Sequence, residues 1–424
     1  MMTELKKMKR IKGEITVPGD KSISHRGVML GALGEGITEI DGFLRGADCL
    51  STIDCFRSLG IETEISGTHV VVHGNGIYGL KKPDKILYTG NSGTTTRLLS
   101  GILAGQSFHS VITGDASICK RPMSRVVKPL SMMGADIEGE YCPLTIKGSK
   151  LNGIKYNMPV ASAQVKTAIL LAGLYAEGET EVVEIEKSRD HTERMLSAMG
   201  ADISEDGLSV RVNKCDRLNG IHISVPGDIS SAAFYIVAAS VMKGSELLIK
   251  NVGVNPTRTG ILDVARNMGA DITELNYRFE NNEPVCDLLV KSADLKGVRI
   301  DGAIIPRLID ELPVIAVMAL VADGETVITD AAELKVKETN RITAVCTELK
   351  KCGADITETE DGMIIRGGKK LTGSNFASYG DHRMAMSLTV LAQLTDGACS
   401  IDDISCCAIS YPEFFDDFYG LEDK

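Results

Sequence analysis

The chain has 424 residues, room for two or three domains at roughly 100–200 residues each, and its 43% hydrophobic and 24% charged content excludes wholesale disorder. A net charge of −11, aromatics at 4% and no Trp exclude a general nucleic-acid or acidic-membrane binder and a base-stacking platform. Eleven cysteines, an odd count without any C-x-x-C, read as reduced thiols of a cytoplasmic protein rather than a disulfide scaffold.

The first twenty residues, MMTELKKMKRIKGEITVPGD, are basic but lack the apolar core of a secretory signal. From residue 20 one pattern recurs. A small polar cluster opens an apolar helix of about three turns, and a glycine turn then leads into a strand. The stretches are DKSISHRGVMLGALGEG (20–36), GNSGTTTRLLSGILAGQ (90–106), ASAQVKTAILLAGLYAEG (161–178), GDISSAAFYIVAASVMKG (227–244), IDELPVIAVMALVADG (309–324) and GDHRMAMSLTVLAQLTDG (380–397). The turn glycines at 36, 105, 178, 244, 324 and 397 are spaced by 69, 73, 66, 80 and 73 residues, so six such units fill the chain. A second helix closes on glycine before a strand in SLGIETEI (58–65), MMGADIE (132–138), AMGADI (198–203), NMGADI (267–272) and KCGADI (351–356), as a left-handed cap requires. The expected order per unit is strand–helix–strand–helix–strand–strand, an α/β fold. VPGD occurs at 17–20 and again at 225–228, 208 residues later. Two similar halves of three repeats each follow, joined by two crossings suited to hinge closure. The longest apolar run, near 312–322, is too short to span a bilayer.

No P-loop, H-E-x-x-H or EF-hand loop is present. GNGIYG at 74–79 matches G-x-G-x-x-G, but Pro83 stands where a helix should run and no acidic residue lies at the ribose distance; it reads as a turn. What remains is a set of cations at helix starts: Lys21, Arg26, Arg97, Lys166 and Arg383. Two further clusters are expected in loops, Lys120-Arg121-Pro122 and the run from Lys335 to Arg341. Helix N-termini attract anions, and Arg offers a planar fork for phosphate or carboxylate. Ser, Thr, Asp or Gly at a helix start is also what a plain cap needs. Recurrence at one position of the repeat favours a pocket for small polyanions.

The motifs GDKSISHR (19–26), GNSGTTTR (90–97), KRPM (120–123), SAQVK (162–166), SRDHTERM (188–195), VPGDISSA (225–232), KVKETNR (335–341), DHRMAM (381–386) and SYPEFF (410–415) together resemble the enolpyruvyl transferase family. Within it they resemble the enzymes acting on shikimate 3-phosphate. The resemblance implies two domains of three βαβαββ repeats, a six-fold inverted barrel with a double-crossover hinge, comprising residues 1–20 with 227–424 and residues 21–226. The implied reaction moves the enolpyruvyl group of phosphoenolpyruvate to the 5-hydroxyl of shikimate 3-phosphate and releases phosphate. No cofactor or metal is implied, nor any nucleic-acid or membrane partner, and a monomer is expected.

By the same resemblance Lys21, Ser22, Arg26, Ser162, Gln164, Ser188, Asp310 and Lys337 hold shikimate 3-phosphate. Lys21, Asn91, Gly93, Arg121, Gln164, Arg341 and Arg383 face phosphoenolpyruvate. Asp310 is the expected base, and Glu338 with Lys21 the expected proton handlers at the methylene carbon. Plainer alternatives are an N-cap of a helix over 311–322 for Asp310 and an exposed ion pair with Lys337 or Arg341 for Glu338. His191, where some members carry Tyr, is expected near the shikimate phosphate, and His382 near the leaving phosphate or a proton in transit. Ile409 stands where some members have Lys, so the phosphoenolpyruvate site is expected either to have one cation fewer or to be compensated by Lys166 or another group. The sister enzymes acting on UDP-N-acetylglucosamine carry a loop Cys five residues before the matching Arg, whereas Cys119 lies two before Arg121. A non-catalytic binding protein of this fold would be expected to lack Asp310, Glu338 or the arginines; all are present.

Overall fold

Side chains that the sequence places at the starts of the apolar stretches cap the helices there. In the computed structural model, which describes residues 2–422, Asp20 caps α1 (Lys21–Leu33) by accepting from Ile23 N at 2.9 Å. Ser92 caps α3 (Gly93–Ala104), Ser162 caps α5 (Ala163–Gly173), Asp228 caps α7 (Ile229–Val241) and Asp381 caps α12 (His382–Leu394) in the same way. The fifth stretch differs. Its helix α10 covers Leu312–Ala319, not 311–322; Glu311 stands at the cap without a capping bond and Pro313 occupies the first turn. Asp310 is therefore no cap, and its carboxylate is committed elsewhere.

The second helices are α2 (Ala47–Ser58), α4 (Ser124–Met132), α6 (His191–Ala198), α8 (Gly260–Met268) and α11 (Arg341–Lys351). The glycine after α8, Gly269, is left-handed at φ 101°, the conformation a side chain would oppose. A short α9 (Ile305–Leu308) precedes α10, and α13 (Phe414–Gly420) ends the described helices. No helix follows GNGIYG until Gly93.

Among the described residues the strands form six small sheets. In one, Leu87–Tyr88 runs parallel to His109–Thr113, which pairs antiparallel with Leu144–Lys147, itself paired with Asp136–Glu138. The same arrangement joins Lys155–Asn157, Thr180–Val183, Ser209–Val212 and Ile203–Asp206, and again Arg299–Ile300, Glu325–Ile328, Met363–Arg366 and Asp355–Glu358. The second strand, Lys12–Thr16, lies parallel to Glu246–Gly253, with Ile15 opposite Ile249. Side chains alternate, so Val70 and Val72 of strand His69–Asn75 are wholly buried.

The chain divides into two compact units: residues 19–225 with 280–283, and the residues up to 18 with 226–279 and 284–424. Each has its own apolar core. Glu280–Glu283, expected with the C-terminal half, group with Gly19–Val225 because of local bonding. Asn281 and Asn282, at φ 46° and 66°, form the tight turn of a hairpin. Asn281 accepts from Ser224 N and donates to His222 O, both at 2.8 Å, while Glu283 meets His191 at 2.7 Å.

In the first unit α1 packs on α2, α3 and α6, and α3 on α5; in the second α7, α10 and α12 pack on one another. Each group sets several helix starts side by side. None of the eleven cysteines, all among the described residues, forms a disulfide. Among the described residues no helix is long and apolar enough to cross a membrane.

Candidate active site

Lys21 is the first residue of α1, and its ammonium pairs with Asp48 in the first turn of α2. Behind it His25 is fully buried, with Nδ1 2.7 Å from Thr52 Oγ1. Burial, reinforced by Lys21 and Arg26, holds the imidazole well below its usual pKa, so it is neutral. Thr52 then meets Thr95 at 2.7 Å, and Thr95 donates to the cap Ser92 at 2.8 Å. This hydrogen-bonded line ties the starts of α1, α2 and α3. Arg26 is 3% exposed and donates to Thr192 Oγ1 at 2.7 Å, Thr167 Oγ1 at 3.0 Å and Ser22 O at 3.1 Å. Ser22 Oγ accepts from Arg189 Nη1 at 3.4 Å, so Arg189 joins the group although its position in the motif gave no hint of it.

Gly93 opens α3 against two guanidiniums. A Cβ there would lie 2.7 Å from Arg97 Nη1 and 3.4 Å from Arg121 Nη1. Arg97 Nη1 donates to Gln164 Oε1 at 2.6 Å, and Gln164 Nε2 to Thr94 Oγ1 at 3.0 Å. Arg121 follows a 3₁₀ turn and donates to Ser117 Oγ at 3.1 Å. Asn91 lies in the turn before this helix, half-buried, and Ser162 caps α5 two residues before Gln164. Arg97, Arg121, Gln164 and Gly93 thus come together at the first turn of α3.

Lys166 is not available to a ligand. It is 0% exposed, with Nζ 2.9 Å from Glu184 Oε2 and 2.7 Å from Glu193 Oε1. Burial disfavours its charge, but the two glutamates outweigh this and raise its pKa. Burial in turn raises the Glu193 carboxyl, with Lys166 opposing. Lys166 therefore does not compensate for Ile409; it holds a loop. Ser188 donates to Glu184 through both N and Oγ, the amide bond measuring 3.0 Å. His191 is 1% exposed and bonded to Glu283, so its ring is packed inside this unit.

In the other unit Arg341 is the hub. Expected in a loop, it instead opens α11 behind the Asn340 cap, and it is 1% exposed. It donates to Asp381 through Nε at 2.7 Å and Nη2 at 3.2 Å, to Glu338 Oε2 at 2.7 Å and to Asp310 Oδ1 at 3.2 Å. Burial opposes its charge, and Asp381, Glu338 and Asp310 together raise its pKa above the ordinary value. Lys337 Nζ donates to the same Asp310 oxygen at 3.1 Å. Arg383, in the first turn of α12, donates to Asp310 O at 3.3 Å. Glu338 does pair with Arg341, yet its side chain is only 19% exposed, so this is no solvated surface pair. His382 is 2% exposed. Ile409 ends a 3₁₀ turn and packs against the core of this unit.

The candidate cations are legible in the motifs, as are Asp310 and Glu338 beside Arg341; the partners Asp48, Glu184 and Glu193 are not. Asp48, Glu184, Glu193 and Asp381 lie 27, 18, 27 and 40 residues from the cations they hold. Only Asp381, inside DHRMAM, carried a local signal as a cap.

The family model described as EPSP synthase (3-phosphoshikimate 1-carboxyvinyltransferase) matches residues 5–418. A 3-phosphoshikimate 1-carboxyvinyltransferase of Thermoanaerobacter sp. (strain X514) is 56% identical over 421 residues, 99% of each chain. One from Brevibacillus brevis is 57% identical over 419 residues, 98% of each chain. A solved EPSP synthase from Acinetobacter baumannii superposes with a TM-score of 0.89 at 46% identity, covering 99% of this chain and 98% of that one.

Proposed function

The chain belongs to the EPSP synthase family, and from that premise we propose that it transfers the enolpyruvyl group of phosphoenolpyruvate to the 5-hydroxyl of shikimate 3-phosphate. The products are 5-enolpyruvylshikimate 3-phosphate and inorganic phosphate, a step of the shikimate pathway to aromatic amino acids. The observation that carries the residue assignment is the Arg341 hub. One buried guanidinium fixes Asp310, Glu338 and Asp381, with Lys337 on the same Asp310 oxygen. Carboxylates held in place among cations suit proton transfer beside an anionic substrate.

Asp310 takes the proton from the 5-hydroxyl as that oxygen bonds to C2 of phosphoenolpyruvate. A proton adds at C3, making a methyl group. The C2–phosphate bond then breaks, phosphate leaves and C3 loses a proton. Glu338 and Lys21 handle the proton at C3. Both substrates carry a phosphate and a carboxylate, so cations must offset their mutual repulsion. Ser22, Arg26, Ser162, Gln164, Ser188 and Lys337, with Lys21 and Asp310, serve shikimate 3-phosphate. Asn91, Gly93, Arg121, Arg341 and Arg383, with Lys21 and Gln164, serve phosphoenolpyruvate. Arg26, with its N–H groups on Thr192, Thr167 and Ser22, also braces the start of α1.

The shared sheet arrangement supports reading the chain as six βαβαββ repeats, three per domain, joined by a double crossover. We further assign the enzyme to the cytoplasm as a monomer with small-molecule substrates and no nucleic-acid partner.

Reaction in D₂O tests the scheme. Because C3 passes through a methyl group, product formed from the two substrates is expected to carry deuterium on its vinyl carbon by mass spectrometry. Product wholly without deuterium contradicts addition followed by elimination, and no product contradicts the function.

A further inference from the structure

Glu311 follows the base Asp310 and takes no part in the scheme above. It is 1% exposed and stands at the start of α10 without capping it. Its Oε1 accepts from Ser230 Oγ and lies 3.6 Å from Arg383 Nη1. Its Oε2 is enclosed and meets no hydrogen-bond donor among the described residues. Ser230 is held from behind, since Arg258 Nη2 donates to Ser230 Oγ at 2.6 Å and to Asp228 Oδ1 at 3.0 Å. Arg258 is itself 3% exposed, and Asp228 caps α7. A continuous set of contacts therefore runs from the start of α7 through Ser230 and Glu311 to the first turn of α12.

A buried carboxylate with one oxygen unbonded lowers stability, so packing does not explain it. It does place a fixed negative charge beside Arg383, whose bond to Asp310 O is long at 3.3 Å. A guanidinium recognises an anion through a directed fork, so its tilt matters as well as its charge.

We propose that Glu311 is a positioning residue that fixes the Arg383 guanidinium for phosphoenolpyruvate. The proposal rests on the reading of Arg383 as a phosphoenolpyruvate contact. Glu311→Gln keeps the size and still accepts from Ser230, but it removes the charge. Its expected effect is a rise of about tenfold in KM for phosphoenolpyruvate, with KM for shikimate 3-phosphate within about twofold and the unfolding midpoint not lowered.

The deciding experiment is a double-mutant cycle of Glu311→Gln and Arg383→Lys, reading both KM values. If Glu311 acts through Arg383, adding Glu311→Gln to Arg383→Lys changes KM for phosphoenolpyruvate by less than about twofold. An unchanged KM in Glu311→Gln alone, or effects that multiply in the double variant, overturns the proposal. An unchanged KM in Arg383→Lys alone overturns the reading of Arg383 instead. Should Glu311→Gln not fold, Ser230→Ala removes the donor that holds Oε1, and the same selective rise in KM is expected; a KM equal to that of the parent overturns the proposal.

Discussion

Asp310→Ala is expected to lower turnover by ~10²-fold or more while leaving shikimate 3-phosphate binding detectable. Asp310 offers one oxygen to Lys337 at 3.1 Å and to Arg341 at 3.2 Å, and its side chain is 12% exposed. It is therefore a carboxylate set at a fixed angle by two cations, as a base within reach of one hydroxyl must be. Removing it takes away the proposed proton acceptor but leaves both cations, so an anionic substrate still finds its counter-charges. Asp310→Asn separates geometry from proton transfer, because the amide keeps the shape and cannot serve as the base. Phosphate release gives turnover and calorimetry gives binding. Turnover near that of the parent in either variant contradicts the assigned role.

Lys166→Met is expected to destabilise its unit by about 3–5 kcal/mol, the usual cost of removing one partner from a buried ion group. Lys166 is wholly enclosed and is the ammonium that Glu184 and Glu193 share. Without it two buried carboxylates face each other, and at least one must take up a proton. Burial already raises the Glu193 pKa above 4.5, so the folded state holds that proton at a pH where the unfolded state has released it. Stability of the variant therefore falls as pH rises above about 4.5, and its deficit is larger near neutral pH than near pH 5. Denaturant titrations at both pH values measure this. Adding Glu184→Gln and Glu193→Gln should recover part of the loss, since no uncompensated charge remains. A variant as stable as the parent at neutral pH contradicts the arrangement.

The reading of Lys166 also marks where sequence stops being informative. In SAQVK it stands in the first turn of an apolar helix, like Lys21 in GDKSISHR. Local pattern makes the two alike. What separates them is Glu184 and Glu193, brought beside Lys166 by the strand after α5 and by α6. Periodicity and caps are properties of a few neighbouring residues, so the helices at 21–33, 93–104, 229–241 and 382–394 were legible. Ion-pair partners from distant elements, such as Asp48, Glu184 and Glu193, were not, whereas Glu338, three residues before Arg341, was. The same limit explains Asp310, which has the look of a cap in IDELP until Pro313 and the short α10 leave its carboxylate to Lys337 and Arg341. It also explains Glu280–Glu283, whose placement follows from bonds to His222, Ser224 and His191 rather than from any break in composition.

The most direct test of the proposed reaction is phosphate release from phosphoenolpyruvate by the full chain, measured with shikimate 3-phosphate, with UDP-N-acetylglucosamine and with no acceptor. Release with shikimate 3-phosphate alone is the expected result. Release that needs the nucleotide sugar, or none with either acceptor, would contradict it.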